Sequence, residues 1–176
     1  MTETRVVMEC DDIARALRRM AGEIAERHRG AQGVAPVGVR RGGEPLAARL
    51  QGLLRELEGR EVPVGSVDIT LYRDDAATTL PNPLIGRSEM AFDVAARALV
   101  LVDDVLFTGR TIRAAIDAIM DYGRPRAIEL AVLVDRGHRE LPIQPDYVGR
   151  ALRTERGERV DVTLDRAGSP DVVTVA

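Results

Sequence analysis

The sequence predicts a single α/β domain over residues 1–176, with a mostly parallel central sheet flanked by helices. Three observations predict it. Ala98-Leu99-Val100-Leu101-Val102 and residues 128–134 are uninterrupted apolar runs, the pattern of strands buried on both faces. Segments with apolar residues at helical spacing alternate with these strands. Hydrophobic residues make up 45% of the 176, enough for one core and too many for a disordered chain.

The first helix follows Asp11-Asp12, which can cap it, and carries Ile13, Leu17, Met20 and Ile24 on one stripe. It fades near His28-Arg29-Gly30, where His28 serves as a favourable C-terminal residue. Val34–Val39 is short, apolar and bounded by glycine, hence a strand. Residues 44–58 read as a helix with Leu46, Leu50, Leu53, Leu54 and Leu57 on one side, ended by Gly59. Residues 67–72 alternate in strand fashion. After them comes a long patternless loop, polar and punctuated by Pro81, Pro83 and Gly86, of a size that often serves as a functional lid. The apolar run 98–102 is the next strand. Residues 111–122 form a helix with Ile112, Ala115, Ile116, Ile119 and Met120 inward, stopped by Gly123 and Pro125. Residues 128–134 are a strand and 135–150 an irregular charged segment. Val160, Val162 and Leu164 alternate in a late strand, and 172–175 add another.

Composition removes several function classes. All 25 basic residues are arginine. Without lysine there is no Schiff-base chemistry and no Walker-type P-loop. Arginine itself suits phosphate, because its planar fork grips two oxygens at once. The net charge of -3 speaks against a globally basic nucleic-acid footprint and leaves room for a local patch. Aromatic residues are 3%, with no Trp, which disfavours stacked aromatic base platforms. Cys10 is the single cysteine, so no intrachain disulfide forms and a reducing cytoplasm is the simplest setting. Met1-Thr2-Glu3-Thr4-Arg5 lacks the plan of a signal peptide, and no apolar run is long enough to span a bilayer, so no membrane partner is expected. With His28 and His138 the only histidines, a resident metal on a histidine cluster is not expected.

The chemistry concentrates in Val102-Asp103-Asp104-Val105-Leu106-Phe107-Thr108-Gly109-Arg110-Thr111. A buried strand runs into two acids, a Thr-Gly turn and a helix. Ligands of open α/β sheets bind beyond the carboxyl ends of the strands. The helix start offers N–H groups and a positive dipole end to an anion, and Thr108 and Thr111 add hydroxyl donors. Carboxylates bind hydroxyls, hydrated Mg²⁺ or a developing cation. A phosphorylated sugar with vicinal hydroxyls meets both demands. The competing reading makes one acid a helix cap and Thr-Gly an ordinary turn. An aspartyl phosphatase wants acids at alternate positions and a lysine. A dinucleotide-binding dehydrogenase wants Gly-x-Gly-x-x-Gly after a strand.

That segment resembles the diphosphoribose-binding motif of type I phosphoribosyltransferases. Asp68-Ile69-Thr70-Leu71-Tyr72-Arg73-Asp74-Asp75 and Leu133-Val134-Asp135-Arg136-Gly137-His138-Arg139-Glu140-Leu141-Pro142-Ile143 resemble two further blocks of one branch. It is the bifunctional pyrimidine operon attenuator and uracil phosphoribosyltransferase family, and the likeness runs from the first helix to the late strand. The resemblance implies the type I phosphoribosyltransferase fold, with a flexible loop over residues 73–88 and a hood over residues 135–158. It implies that uracil and phosphoribosyl diphosphate, with Mg²⁺, give UMP and pyrophosphate. Asp103 and Asp104 then hold the ribose hydroxyls as the catalytic pair. Val105, Leu106 and Phe107 line the substrate, and Thr108, Gly109, Arg110 and Thr111 cradle its 5′-phosphate. Arg40 and Arg41, within Val37-Gly38-Val39-Arg40-Arg41-Gly42-Gly43, take the place of the pyrophosphate loop, which in the family can hold a cis non-proline peptide. The family often has Thr-Arg-Gly where this chain has Arg41-Gly42-Gly43. Tyr72 and Arg73 lead into the flexible loop. His138 is read as a structural histidine in the hood rather than a general base.

The same resemblance implies a second activity, binding of pyrimidine-operon messenger RNA when a uridine nucleotide is bound, by a homodimer or larger homo-oligomer. An arginine surface of Arg18, Arg27, Arg139 and Arg150, with Arg15 and Arg19 nearby, is the candidate. The family usually has Thr and His where this chain has Arg18 and Gly22, and a basic residue in place of Gln144. A solvated charged face, interleaved with Glu23 and Glu26, competes with this reading. The alternative function is a regulator that binds RNA and senses nucleotide without turnover.

Overall fold

The computed structural model describes residues 4–74 and 87–176, so residues 75–86 of the expected flexible loop lie outside the described residues. Five strands form the central sheet: β2 (Val34–Val39), β3 (Gly65–Val67), β4 (Ala98–Leu106), β5 (Ala127–Asp135) and β6 (Tyr147–Ala151). Their order is β3-β2-β4-β5-β6, and every neighbouring pair is parallel. Helices α1 (Cys10–Arg27) and α2 (Gly43–Glu58) pack on one face and α3 (Arg110–Met120) on the other. Strands β1 (Arg5–Glu9), β7 (Val160–Thr163) and β8 (Val172–Val175) form a separate antiparallel sheet in the order β1-β8-β7.

The apolar run of β4 explains the two-sided packing. Successive strand residues point to opposite faces. Val100 and Val102 join the α1–α2 side, while Leu99 and Leu101 join the α3 side. Leu99 and Leu101 are both fully buried, so truncating either to Ala costs about 2–5 kcal/mol. Each α1 residue of the expected stripe, Ile13, Leu17, Met20 and Ile24, is buried. Gly59 ends α2 as expected, in a left-handed conformation with φ 64 and with its N–H on the Arg55 carbonyl at 2.9 Å.

Several elements differ from the sequence reading. Helix α1 starts one turn earlier, from Glu9, whose N–H is held by the Asp12 carboxylate at 3.1 Å in a capping box. The alternating segment 67–72 is not a strand: β3 ends at Val67. There the Asp68 Oδ1 atom accepts the Thr70 N–H at 2.8 Å and the Thr70 hydroxyl at 2.5 Å, so a side chain competes with the ladder for the backbone. Strand β4 continues to Leu106, which places Asp103 and Asp104 within the strand rather than just past it. The hood contains a strand, β6, where an irregular segment was expected, and β1 was not anticipated. Leu57 and Met120, expected on the inner faces, are exposed, each in the last turn of its helix. Among the described residues no helix is long and apolar enough to cross a membrane.

Candidate active site

The carboxyl ends of β2 and β4 meet the starts of α2 and α3, and the candidate residues gather there. Asp103 is 5% exposed, and its Oδ1 atom accepts the Asp104 N–H at 2.9 Å. Burial pushes the Asp103 carboxyl well above the usual carboxylate range, and the neighbouring Asp104 charge pushes it further. Asp104 is half-buried, with Oδ1 accepting the Val105 N–H at 2.7 Å. The pair is therefore unequal: Asp103 is buried and Asp104 half-buried.

The turn Phe107-Thr108-Gly109 leads into α3. Gly109, at φ 93, is the helix N-cap in a conformation that a side chain rarely adopts. The following N–H groups have no helical acceptor, and α3 has no acidic residue in its first turn to occupy them. Thr108, Arg110 and Thr111 line a cavity of about 370 Å³ together with Arg73 and Asp74. The Arg110 guanidinium is held by Glu140 at 2.8 Å and by Asp74 at 2.6 Å, contacts that strengthen its positive charge. Neither acid is near Arg110 in the chain, so neither pairing was expected.

Residues 40–42 close the other side. The Arg40–Arg41 peptide is cis. Arg40 donates its N–H to the Val67 carbonyl at 2.9 Å and pairs with Glu44 at 3.1 Å, while Arg41 is exposed and has no partner among the described residues. The glycines of Arg41-Gly42-Gly43 lie against the acid-bearing strand. A Cβ on Gly42 would lie 2.2 Å from the Asp104 Oδ2 atom, and a Cβ on Gly43 2.1 Å from the Val102 carbonyl oxygen. Both glycines let the loop touch the acid-bearing strand.

The hood is tied to the turn by its backbone. The Arg136 N–H donates to the Leu106 carbonyl at 3.1 Å, and Glu140 and Leu141 both donate to the Thr108 carbonyl at 2.9 and 3.2 Å. His138 hydrogen-bonds the Thr154 carbonyl at 2.7 Å, in keeping with a structural role.

On the single chain the candidate RNA arginines have separate surroundings. Arg139 is turned inward, to Asp135 at 2.7 Å and to the carbonyls of Ile143 and Phe107 at 2.9 and 3.0 Å. Arg27 pairs with Asp146 at 2.9 Å and with buried Glu129 at 3.2 Å. Glu129 also takes the Tyr147 hydroxyl at 2.7 Å and His28 at 2.9 Å. Arg18 is exposed beside a shallow groove between α1 and α2. Arg150, which bonds the Val7 carbonyl, joins Arg15 and Arg19 along a groove of about 320 Å³.

A larger cavity of about 790 Å³, lined by Tyr72, Arg87, Tyr122 and their neighbours, contains no residue of the 102–111 segment. Among the described residues no group of three or more His, Cys, Asp or Glu is placed to hold a metal. Mg²⁺ is commonly held by one or two carboxylates together with substrate phosphates, and Asp104 is a carboxylate of the kind such a phosphate-borne ion would use.

Residues 8–165 match the family described as phosphoribosyl transferase domain. The chain is 54% identical over 167 residues to the Bifunctional protein PyrR of Deinococcus radiodurans, covering 95% of this chain and 91% of the relative. It is 53% identical over 174 residues to the Bifunctional protein PyrR of Geobacter sulfurreducens, covering 98% of each. A hypoxanthine phosphoribosyltransferase from Staphylococcus aureus superimposes with a TM-score of 0.67 at 16% identity, covering 86% of this chain and 79% of the other. A hypoxanthine-guanine phosphoribosyltransferase from Bacillus anthracis does so with a TM-score of 0.67 at 15% identity, covering 99% and 100%. At such identities these two structures share the fold.

Proposed function

The chain belongs to the phosphoribosyltransferase family and, within it, to the PyrR proteins, and on that premise we propose that it transfers ribose 5-phosphate from phosphoribosyl diphosphate to uracil. The observation that carries this reading is one strand-turn-helix segment on which Asp104, a half-buried carboxylate packed against Gly42, runs within a few residues into Thr108, Arg110 and Thr111, which line a cavity at the start of α3. Each part has one task. The cradle binds the 5′-phosphate. Asp104 accepts hydrogen bonds from the vicinal hydroxyls and favours positive charge as it develops on the sugar. Arg41, unspent among the described residues, meets the diphosphate.

The C1′–oxygen bond to pyrophosphate breaks, the N1–C1′ bond forms, and the uracil N1 proton passes to the departing pyrophosphate or to water. Positioning and electrostatic stabilisation of the departing pyrophosphate carry the rate, in place of a protein nucleophile. Mg²⁺ travels with the diphosphate and supplies charge neutralisation there. The buried Asp103 supports the site from beneath, as a neighbour that keeps Asp104 turned outward. The hood, closed over the end of β5, takes the base through backbone N–H and C=O groups.

The same chain acts as a uridine-nucleotide-dependent RNA-binding regulator of pyrimidine genes, in keeping with its relatives' designation as bifunctional. The groove of Arg15, Arg19 and Arg150 supports this, being the place where three guanidinium-bearing side chains converge on one surface. Arg18 extends the basic surface along α1. A homodimer and a cytoplasmic setting complete the reading.

The test is UMP formation from phosphoribosyl diphosphate and Mg²⁺ with uracil, run beside hypoxanthine, guanine and orotate. Turnover restricted to uracil is the expected result. Turnover of a purine in its place would reassign the hood, and no turnover with any base by folded protein would leave a nucleotide-sensing regulator.

A further inference from the structure

Arg136 is an unusual residue to bury. It is 6% exposed, yet among the described residues its guanidinium hydrogen-bonds to backbone carbonyls alone. Glu158 accepts at 2.8 Å, Glu155 at 3.0 Å and Arg156 at 3.4 Å, while its Nε atom has no partner. The Glu158 carboxylate hydrogen-bonds Arg5 and the Glu155 N–H, and reaches Arg136 through charge alone. The face of the guanidinium stacks 4.0 Å from the centre of the Phe107 ring. A cation held by dipoles and a ring costs more to bury than an apolar side chain of the same volume. Packing alone gives no reason for an arginine here.

Its contacts give one. Phe107 opens the phosphate cradle, and Thr108 to Thr111 follow it directly. The ring is gripped from the hood on two sides, by Arg136 over its face and by His138 at its edge, 5.9 Å between centroids. His138 is itself fixed to the Thr154 carbonyl, and the Thr154 hydroxyl donates to the Arg136 carbonyl at 3.2 Å. Arg136 thus joins three pieces that are distant in sequence: the head of the cradle, the end of β5, and the 154–158 turn of the hood.

We propose that Arg136 is a positioning residue for the transfer reaction, fixing the distance between the phosphate cradle and the base-binding hood. The proposal rests on the reading of the hood as the uracil site. A ligand that touches the cradle alone is bound by the first turn of α3 and does not sense that distance. A nucleotide that spans both does, because its phosphate and its base are joined at a set length.

The experiment compares ribose 5-phosphate with UMP, by calorimetric titration of the full chain. In Arg136→Met the affinity for UMP falls about 10–100-fold, the loss expected when one end of a bound ligand is misplaced by about 1 Å. The affinity for ribose 5-phosphate stays at the wild-type value. Arg136→Lys, which keeps a cation above the ring and a donor for one carbonyl, lies between the two. In turnover, KM for uracil rises while KM for phosphoribosyl diphosphate holds. Should the methionine variant not fold, Arg136→Lys carries the test alone, with a smaller loss for UMP and ribose 5-phosphate affinity at the wild-type value. Equal loss for both ligands marks a merely structural arginine and overturns the proposal, as does no loss for either. The wild-type titration separates the proposal from its premise. If wild type binds UMP no better than ribose 5-phosphate, the hood is not the base site and both fall. If wild type discriminates and the variants discriminate equally, the role of Arg136 alone falls.

Discussion

Replacing Gly43 by alanine tests the packing that brings the 40–42 loop to the acids. The added Cβ would sit 2.1 Å from the Val102 carbonyl oxygen, 3.0 Å from its carbon and 3.2 Å from the Asp103 Cα, where ordinary contact begins at 3.4 Å. All three atoms are backbone of the central strand and cannot swing aside. The start of α2 must therefore retreat by about 1 Å, which is the scale of misplacement that costs roughly 100-fold in rate. Overpacking of this kind costs about 1–3 kcal/mol. For a chain of this size that lowers Tm by roughly 2–12 °C. Gly22→Ala is the control: it lies mid-helix in α1 with nothing within 4 Å of its Cβ position. Alanine there gains about 0.5–1 kcal/mol of helix propensity and raises Tm by roughly 1–4 °C. The assay is thermal denaturation of both variants beside kcat/KM for phosphoribosyl diphosphate. A Gly43→Ala protein with wild-type Tm and wild-type kcat/KM would refute the close approach of loop to strand.

Three further outcomes are expected. Because the folded protein raises the Asp103 pKa, protonation favours folding. That contribution is whole below the ordinary value of 3.8 and is lost as pH rises through the raised one. Asp103→Asn therefore gains Tm over wild type as pH rises from 3.8 to the raised value and keeps that gain above it; a constant difference across the whole pH range would show the carboxyl is not displaced. Asp74→Asn frees one side of Arg110 for phosphate and lowers KM for phosphoribosyl diphosphate about two- to five-fold, the range of an exposed ion pair. A raised KM would make Asp74 a substrate contact instead. Arg18→Ala weakens RNA binding and reduces the slope of log affinity against log salt by about one, with uracil conversion unchanged. An identical salt slope in a gel-shift series would remove Arg18 from the RNA face.

What the sequence disclosed follows the range of the interactions. The 102–111 segment was legible because its strand, acids, turn and helix start are contiguous, and local rules govern each junction. The stripes of α1 and α2 were legible because periodicity reports burial. Strands β1 and β6 were not: β1 buries Met8 alone and β6 Tyr147 alone, too little for any alternation to register. The strand expected at 67–72 failed for a local reason, since Asp68 captures the Thr70 backbone. Contacts across the fold left no sequence trace. Nothing near Gly42 points to Asp104, and nothing near Arg136 points to Phe107 and the 155–158 carbonyls. Arg139 reads as one more surface charge until its guanidinium is seen bound to Asp135 and two carbonyls.

The central claim is that Asp104 and the Thr108–Gly109–Arg110–Thr111 cradle together hold the ribose 5-phosphate for transfer to uracil. Its most direct test is the initial rate of UMP formation by wild type and by Asp104→Ala, each verified as folded by its thermal transition. The account predicts uracil-dependent UMP formation by the wild type and a loss of two orders of magnitude or more in kcat/KM in the variant, about the scale on which enzymes lose a positioned electrostatic contact. Full activity in a folded Asp104→Ala protein would contradict it.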